Sequence, residues 1–288
     1  MEKDLFDLPI VEHTEEYMNM LHTDFVRSVM ANSNNFSYWF PKIRSVRKHG
    51  IYVPKSFVIF IPYNVYMAFM GECDGDKDRI VDWYDDCVYP MIENNFPEGE
   101  FFVKNGCFSN KFEFSRSCHI LKTDIGEDIV RKISYMMYMS ICHETKGYLE
   151  LVLREWITPP EGTKTIYEGM PFRPEMRVFY DFNQKKVLYK VNYWDWDYCH
   201  DAICLSCDGD KKPDADVYEQ EYSSENEQVE VLGAKYMPVI EKALADVNLI
   251  GIWSVDFILE QDRVILIDMA LARMSAYWDE AKVKGVTE

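Results

Sequence analysis

The chain has 288 residues and a formal net charge of −18, from 31 Lys plus Arg against 49 Asp plus Glu. At 48% hydrophobic and 15% aromatic, with 13 Gly and 12 Pro, it is excluded from the mainly disordered and fibrous classes. Its acidity argues against a sequence-independent grip on nucleic acid, which needs Lys and Arg to displace counterions, and leaves room for a small anion in a local basic pocket.

In chain order, Tyr17, Met18, Leu21, Phe25, Val26 and Val29 approach a helical repeat over 14–31, with Thr14 as N-cap. SFVIFIP at 56–62 reads as a buried strand, far short of a bilayer span, so no membrane segment is expected. Ile80, Val81, Tyr84, Val88 and Ile92 predict a helix over 78–95 that Pro90 kinks or interrupts. EFFVK at 100–104 predicts a strand and residues 125–143 a helix, whose methionines and tyrosines read as core packing. LELVLREWI at 149–157 is strand-like. EMRVFYDF (175–182) and KVLYKVNYW (186–194) alternate around Asn183-Gln184 as a hairpin. The polar, acidic stretch 208–229 reads as an exposed loop, followed by a helix over 232–247 and a final hairpin turning at Gln261-Asp262. The order gives an α+β chain. We expect an N-terminal α/β lobe over 1–97, a subdomain over 98–148, a C-terminal lobe on an antiparallel sheet over 149–280, and a tail over 281–288.

Three cations fall on predicted strands: Lys104, Arg154 and Arg177. A charge in an otherwise apolar strand is costly unless it meets an anion, and a phosphate-bearing ligand or local carboxylates such as Glu155 and Glu175 would supply one. The last hairpin sets Asp256 across from Asp268. Opposed carboxylates repel unless a cation joins them, and Mg²⁺ bridging nucleotide phosphates suits such a pair; the plainer reading has one acid at a strand end and the other solvated. Cys204-x-x-Cys207, with Cys199 and His200 upstream, lacks the second pair that a zinc site needs. The eight cysteines are scattered through a long chain, and the first 25 residues carry acids every few positions, unlike a secretory or transit segment. Reduced thiols in a cytoplasmic protein follow. No P-loop, Rossmann or serine-hydrolase motif occurs.

Four stretches together resemble the ATP-grasp superfamily, in particular the cell division cycle protein 123 family: FSYWFPKIRSVRKHGIYVPKSFVIFIP (36–62), EFFVKNGCFSNKF (100–112), LELVLREWI with PEMRVF (149–157, 174–179), and SVDFILEQDRVILID (254–268). The resemblance implies an ATP-grasp fold of two lobes with ATP and Mg²⁺ between them. It implies Lys104, with Lys111, at the phosphates and Arg154, Glu155, Trp156 and Ile157 around the adenine. Arg177 and Lys190 would serve the reacting phosphate, and Asp256 and Asp268 would hold Mg²⁺. The chemistry implied is activation of a carboxylate as an acyl-phosphate that an amine of a protein or peptide attacks, through positioning and charge neutralisation. The family's last strand normally reads Asp-x-Asn-Pro, whereas this chain reads Asp268-Met269-Ala270-Leu271, and alanine offers no ligand oxygen. The alternative is therefore a non-catalytic nucleotide-binding assembly chaperone of the translation-factor type. A plain interaction domain with internally paired cations is the third reading. The net charge favours a basic protein partner.

Overall fold

The computed structural model describes residues 24–71, 76–143, 149–205 and 212–284. The described chain is α+β, as expected, and falls into two units. One is the chain up to Pro41 with Lys55–Ile157, and the other is Lys42–Pro54 with Thr158 onward.

The first unit is built on a sheet in the order β1-β4-β2-β3, from β1 (Ser56–Phe60), β2 (Phe101–Asn105), β3 (His119–Ile120) and β4 (Glu150–Glu155), all pairs antiparallel. Strand alternation gives this sheet two unlike faces. Ile59, Phe101, Val103, Leu151 and Leu153 enter one apolar core with Ile129, Ile133, Met136 and Met137 of the helix Gly126–Cys142. The residues of opposite parity carry the charge: Lys104 sits across from Val152 and Arg154 across from Phe102, with Glu150 two residues before Val152 on the same face. The helix expected over 78–95 is Asp76–Trp83, a π-turn at Tyr84–Val88, then Tyr89–Asn95 with Pro90 in its first turn. Proline lacks the N–H that an uninterrupted helix would use, and the wider turn lies just ahead of it. Of the helix expected over 14–31, residues 24–31 lie within the described residues, and Asp24–Met30 is helical.

The second unit has a sheet in the order β10-β9-β7-β8, from β7 (Glu175–Asp181), β8 (Lys186–Asn192), β9 (Ile252–Leu259) and β10 (Val264–Leu271). Residues 42–54 join it: Tyr52 N donates to Val264 O and Leu266 N to Tyr52 O beside β10, and His49 Nε2 lies 2.7 Å from Asp246 Oδ2. The β7–β8 turn is anchored by Asp181 Oδ1, which accepts from the amides of Asn183 and Gln184.

Two expectations need correction. Of the acidic segment expected as an exposed loop over 208–229, residues 208–211 lie outside the described residues, and the rest is helical. From Lys212 it belongs to one continuous helix, α9 in chain order, Lys212–Ala245, which also absorbs the separate helix expected over 232–247. Its anchors are sparse among acids: Tyr218 is fully buried with its hydroxyl on Trp194 O, and Glu225 is 4% exposed against Asn192. The second correction concerns the last hairpin. Its turn sets Leu259 across from Val264, a register that would place Asp256 opposite Ile267. A bulge between Leu266 and Asp268 shifts the pairing by one, and only then does Asp268 face Asp256.

Tyr218→Ala is expected to cost about 3 kcal/mol in chemical denaturation, the scale of emptying a buried aromatic site. A loss under about 0.5 kcal/mol, as for an exposed loop residue, would contradict the docked helix.

Candidate functional site

In the first unit, the charged sheet face carries Lys104, expected at the phosphates, and Arg154, expected around the adenine. Lys104 is 2% exposed and Arg154 is 5% exposed. The Arg154 guanidinium lies 5.6 Å from the Phe36 ring centre, a cation–π contact. Lys111 lies in the short turn Lys111–Glu113, and both it and Lys104 are near enough to the Cys118 thiol to pull its pKa down. Burial outweighs them and pushes that thiol up to about 11. On the same face lies a buried carboxylate, Glu150, fully enclosed. Both its oxygens accept from Ser37, Oε1 from the hydroxyl and Oε2 from the amide at 3.3 Å. Burial raises its pKa, and the Ser37 and Phe36 donors and Lys104 work against that rise. A Cβ at Gly106 would come within 2.6 Å of Glu150 Oε2, so glycine is what lets the loop after β2 close over this carboxylate. Glu150 escaped sequence reasoning although its signal was present: in LELVLRE, Glu150 and Arg154 are four apart on a strand and share a face.

The hinge residues follow directly. Glu155 Oε2 accepts from Lys55 N at 2.9 Å, and Glu155 N donates to Lys55 O, which fixes the strand end. Ile157 is buried. The Trp156 ring stacks on His119 at 4.1 Å between centres, with Phe114 at 5.7 Å. Burial lowers the pKa of His119, and its contact with Glu100 opposes that. His119 was not legible as a site residue, because nothing in its sequence neighbourhood marks it as Trp156's neighbour.

In the second unit, Arg177 and Asp256 are cross-strand partners of β7 and β9 and form a two-point ion pair. Arg177 Nε donates to Asp256 Oδ1 at 2.7 Å, and a terminal nitrogen donates to Oδ2 at 2.8 Å. The guanidinium also donates to Ala276 O at 3.1 Å and lies over the Tyr193 and Tyr277 rings. Burial would lower its pKa, but Asp256, and more weakly Asp268, raise it overall. The segment after β10 lies along this face. Ser275 Oγ is 2.6 Å from Ser254 Oγ, Tyr189 donates to Tyr277 O, and Tyr277 itself takes a left-handed backbone at φ 67. Lys190 does not join Arg177. It pairs with Val178, one residue out of phase, so it projects from the opposite face and is held by Glu230 of α9 at 2.8 Å.

The fit of Mg²⁺ follows from the donors. Both Asp256 oxygens are taken by a guanidinium, position 270 is alanine, and no group of three His, Cys, Asp or Glu that could hold a metal ion occurs among the described residues. Asp268 alone is short of what a hard, octahedral cation asks. The described residues do not fit a protein-held Mg²⁺, and the cation that Asp256 meets is Arg177, on the strand opposite the one that carries Asp268. Of the Cys/His cluster near 204, Cys207 lies outside the described residues, and His200 lies beside Asp201 and Glu219. Cys87, Cys107, Cys118, Cys142 and Cys199 are free thiols. No described helix is long and apolar enough to cross a membrane.

No family model and no curated protein matches the chain. Among solved structures it is similar to Cdc123 from Schizosaccharomyces pombe (14% identity, TM-score 0.49, 90% of this chain and 92% of that one). It is also similar to the RimK domain protein ATP-grasp from Sphaerobacter thermophilus DSM 20745 (11%, TM-score 0.32, 85% and 60%) and to the VanG D-Ala:D-Ser ligase from Enterococcus faecalis (12%, TM-score 0.35, 86% and 56%).

Asp256→Ala is expected to destabilise by about 3–5 kcal/mol, because it strands a buried guanidinium. The double variant Arg177→Met/Asp256→Leu should recover most of that in urea denaturation, and additive losses would contradict an internal ion pair.

Proposed function

We propose that the chain is an ATP-binding protein of ATP-grasp type that holds its nucleotide without ligating a substrate. Lys104, Lys111 and Arg154 take the phosphates, and Glu155, Trp156 and Ile157, backed by His119, take the base. The observation that carries the reading is the pair of buried cations, Lys104 and Arg154, on the sheet face turned away from the apolar core. Two buried cations on one sheet face in a chain of net charge −18 suit a polyphosphate. Arg177 serves as the internal counter-ion of Asp256 in this reading, and Lys190 has no phosphate role. The absence of turnover is supported by Ala270 and by the occupied Asp256 carboxylate. With turnover gone, nucleotide would set the shape in which the acidic protein meets a basic partner.

The ligase reading is favoured by one observation, the cross-strand placement of Asp256 and Asp268. The two part on ADP release.

Calorimetric titration of ATP should give binding that weakens roughly 10- to 100-fold in Lys104→Ala, the worth of one charge-assisted bond to phosphate. ADP release by the wild-type protein should stay at background with Mg²⁺ and candidate amines. Binding heat unchanged in the lysine variant would sink the phosphate site, and Mg²⁺-dependent ADP release would return the ligase.

A further inference from the structure

The nucleotide reading leaves Glu150 without a task, although it is fully enclosed on the face of the two cations. The short helix Phe36–Trp39 rests on it. The Ser37 hydroxyl donates to Oε1, the Ser37 amide donates to Oε2 at 3.3 Å, and the Phe36 amide adds a further donor. Asn35, at the helix's own cap position, makes no side-chain cap hydrogen bond, so these donors are met by a strand 113 residues away. Phe36, held in this way, stacks on Phe40 at 4.5 Å between ring centres and lies over the Arg154 guanidinium. On its other side Glu150 meets Gly106, in the loop that follows Lys104. One carboxyl thus ties together the cover of Arg154 and the loop next to Lys104.

This clamp does not depend on the charge of the carboxyl. A serine hydroxyl both donates and accepts. With Glu150 ionised, the hydroxyl donates to Oε1. With Oε1 protonated, the same two atoms keep their bond and Glu150 donates, while Oε2 goes on accepting from the amide. Ser37 is half-buried, which gives the enclosed carboxyl a route for a proton from solvent. The charged groups on this face are Lys104 from β2 and Arg154 from Glu150's own strand. None of the five residues of β1 titrates, and the Cys107 thiol of the adjoining loop donates to Asn34 O at 2.9 Å.

We propose that Glu150 is a positioning residue that couples nucleotide binding to proton uptake: phosphates arriving at Lys104 and Arg154 draw a proton from solvent onto Glu150 Oε1, and the Ser37 hydroxyl turns from donor to acceptor. The inference lies within the first unit and rests on the nucleotide reading, which it deepens. Its sign follows from the electrostatics. Burial raises the Glu150 pKa, and the Ser37 and Phe36 donors and then Lys104 hold it down. A polyphosphate that engages Lys104 weakens that hold and adds negative charge, so the pKa rises further on binding. A group whose pKa rises on binding takes up a proton, and affinity grows as pH falls. The free protein has its own signature: a carboxyl raised on folding favours the folded state at acid pH. It loses that contribution as pH rises from about 4.5 through the folded value.

The test is calorimetry of ATP with the full chain across acid to alkaline pH, on the wild type and on Glu150→Gln, which carries the neutral form's shape permanently. ATP titrates identically in both experiments, so the difference between the two proteins reports Glu150. The two should bind alike at the acid end. Towards alkaline pH the wild type should fall behind until Glu150→Gln binds about tenfold more tightly, the worth of one unit of pKa shift. Between buffers of different ionisation heat, the wild type should show more proton uptake than the variant. Ser37→Ala keeps the acid but removes a donor that favours its charged form, so the fall in affinity should move to higher pH; this variant carries the test if Glu150→Gln does not fold. A merely structural Glu150 would alter the melting temperature and leave the pH profile unchanged. The proposal is overturned if ATP binds and the wild type and Glu150→Gln share one pH profile, or if the variant is the weaker binder at alkaline pH. If ATP fails to bind the wild type by about 10 mM at any pH, the nucleotide reading itself fails and the proposal falls with it.

Discussion

Both sheets must bury charge, and the way each balances it governs the site. An antiparallel strand alternates its side chains, so a charged residue between apolar neighbours is forced onto the face its neighbours avoid. In the first unit that rule lines up Glu150 and Arg154 on β4 with Lys104 on β2, opposite the face that packs on the helix Gly126–Cys142. In the second it lines up Arg177, Asp256 and Asp268, opposite the face that Met176 and Lys190 turn towards α9. The two faces are balanced differently. Arg177 meets Asp256 at two points, the geometry that gives a buried ion pair its best chance of offsetting desolvation. On the face of Lys104 and Arg154 the buried acid among the described residues is Glu150, and Ser37 donates to both of its oxygens.

In the function proposed above, that difference separates binding from turnover. A site that holds polyphosphate needs surplus positive charge and a preformed pocket. A site that transfers a phosphoryl group needs, in addition, positive charge preset where charge develops on the reacting oxygens and not already committed to an internal carboxylate. The Arg177 guanidinium is tied to Asp256, to the Ala276 carbonyl and to two tyrosine rings, so moving it would cost several contacts at once. The segment that supplies Ala276 and Tyr277 is itself pinned at Ser254, Tyr189 and Tyr193. Arg177 is built as a fixed counter-ion.

Much of this was legible in the sequence, because strands declare themselves by alternation and by the charges that break it. Lys104, Arg154, Arg177 and the two hairpins were placed on strands by pattern alone, and the strands formed there. What failed to show depended on information outside the local pattern. The face shared by Glu150 and Lys104 needs the register of β2 on β4, which no single segment carries. Lys190 looked like a partner for Arg177 because β7 and β8 are neighbours, yet a one-residue difference in register puts it on the other side. His119 reaches Trp156 only through the β3–β2–β4 pairing.

The long helix shows the opposite error and its physical cause. Residues 208–229 are acidic with few apolar anchors, a composition that reads as loop because propensity and burial are judged over a short window. Glutamates are nonetheless good helix formers, and a helix needs only one stripe to be stable when a sheet waits beneath it. Tyr218, Glu225, Leu232 and Ile240 recur every seven or eight residues, two turns apart, and each is buried. Glu225 on that stripe is therefore neither a surface charge nor a packing residue. A helix that could have buried a leucine there instead buries a carboxyl, whose Oε2 accepts from Asn192 Nδ2. The stripe that docks the helix on its sheet is the same one that carries this acid out of solvent.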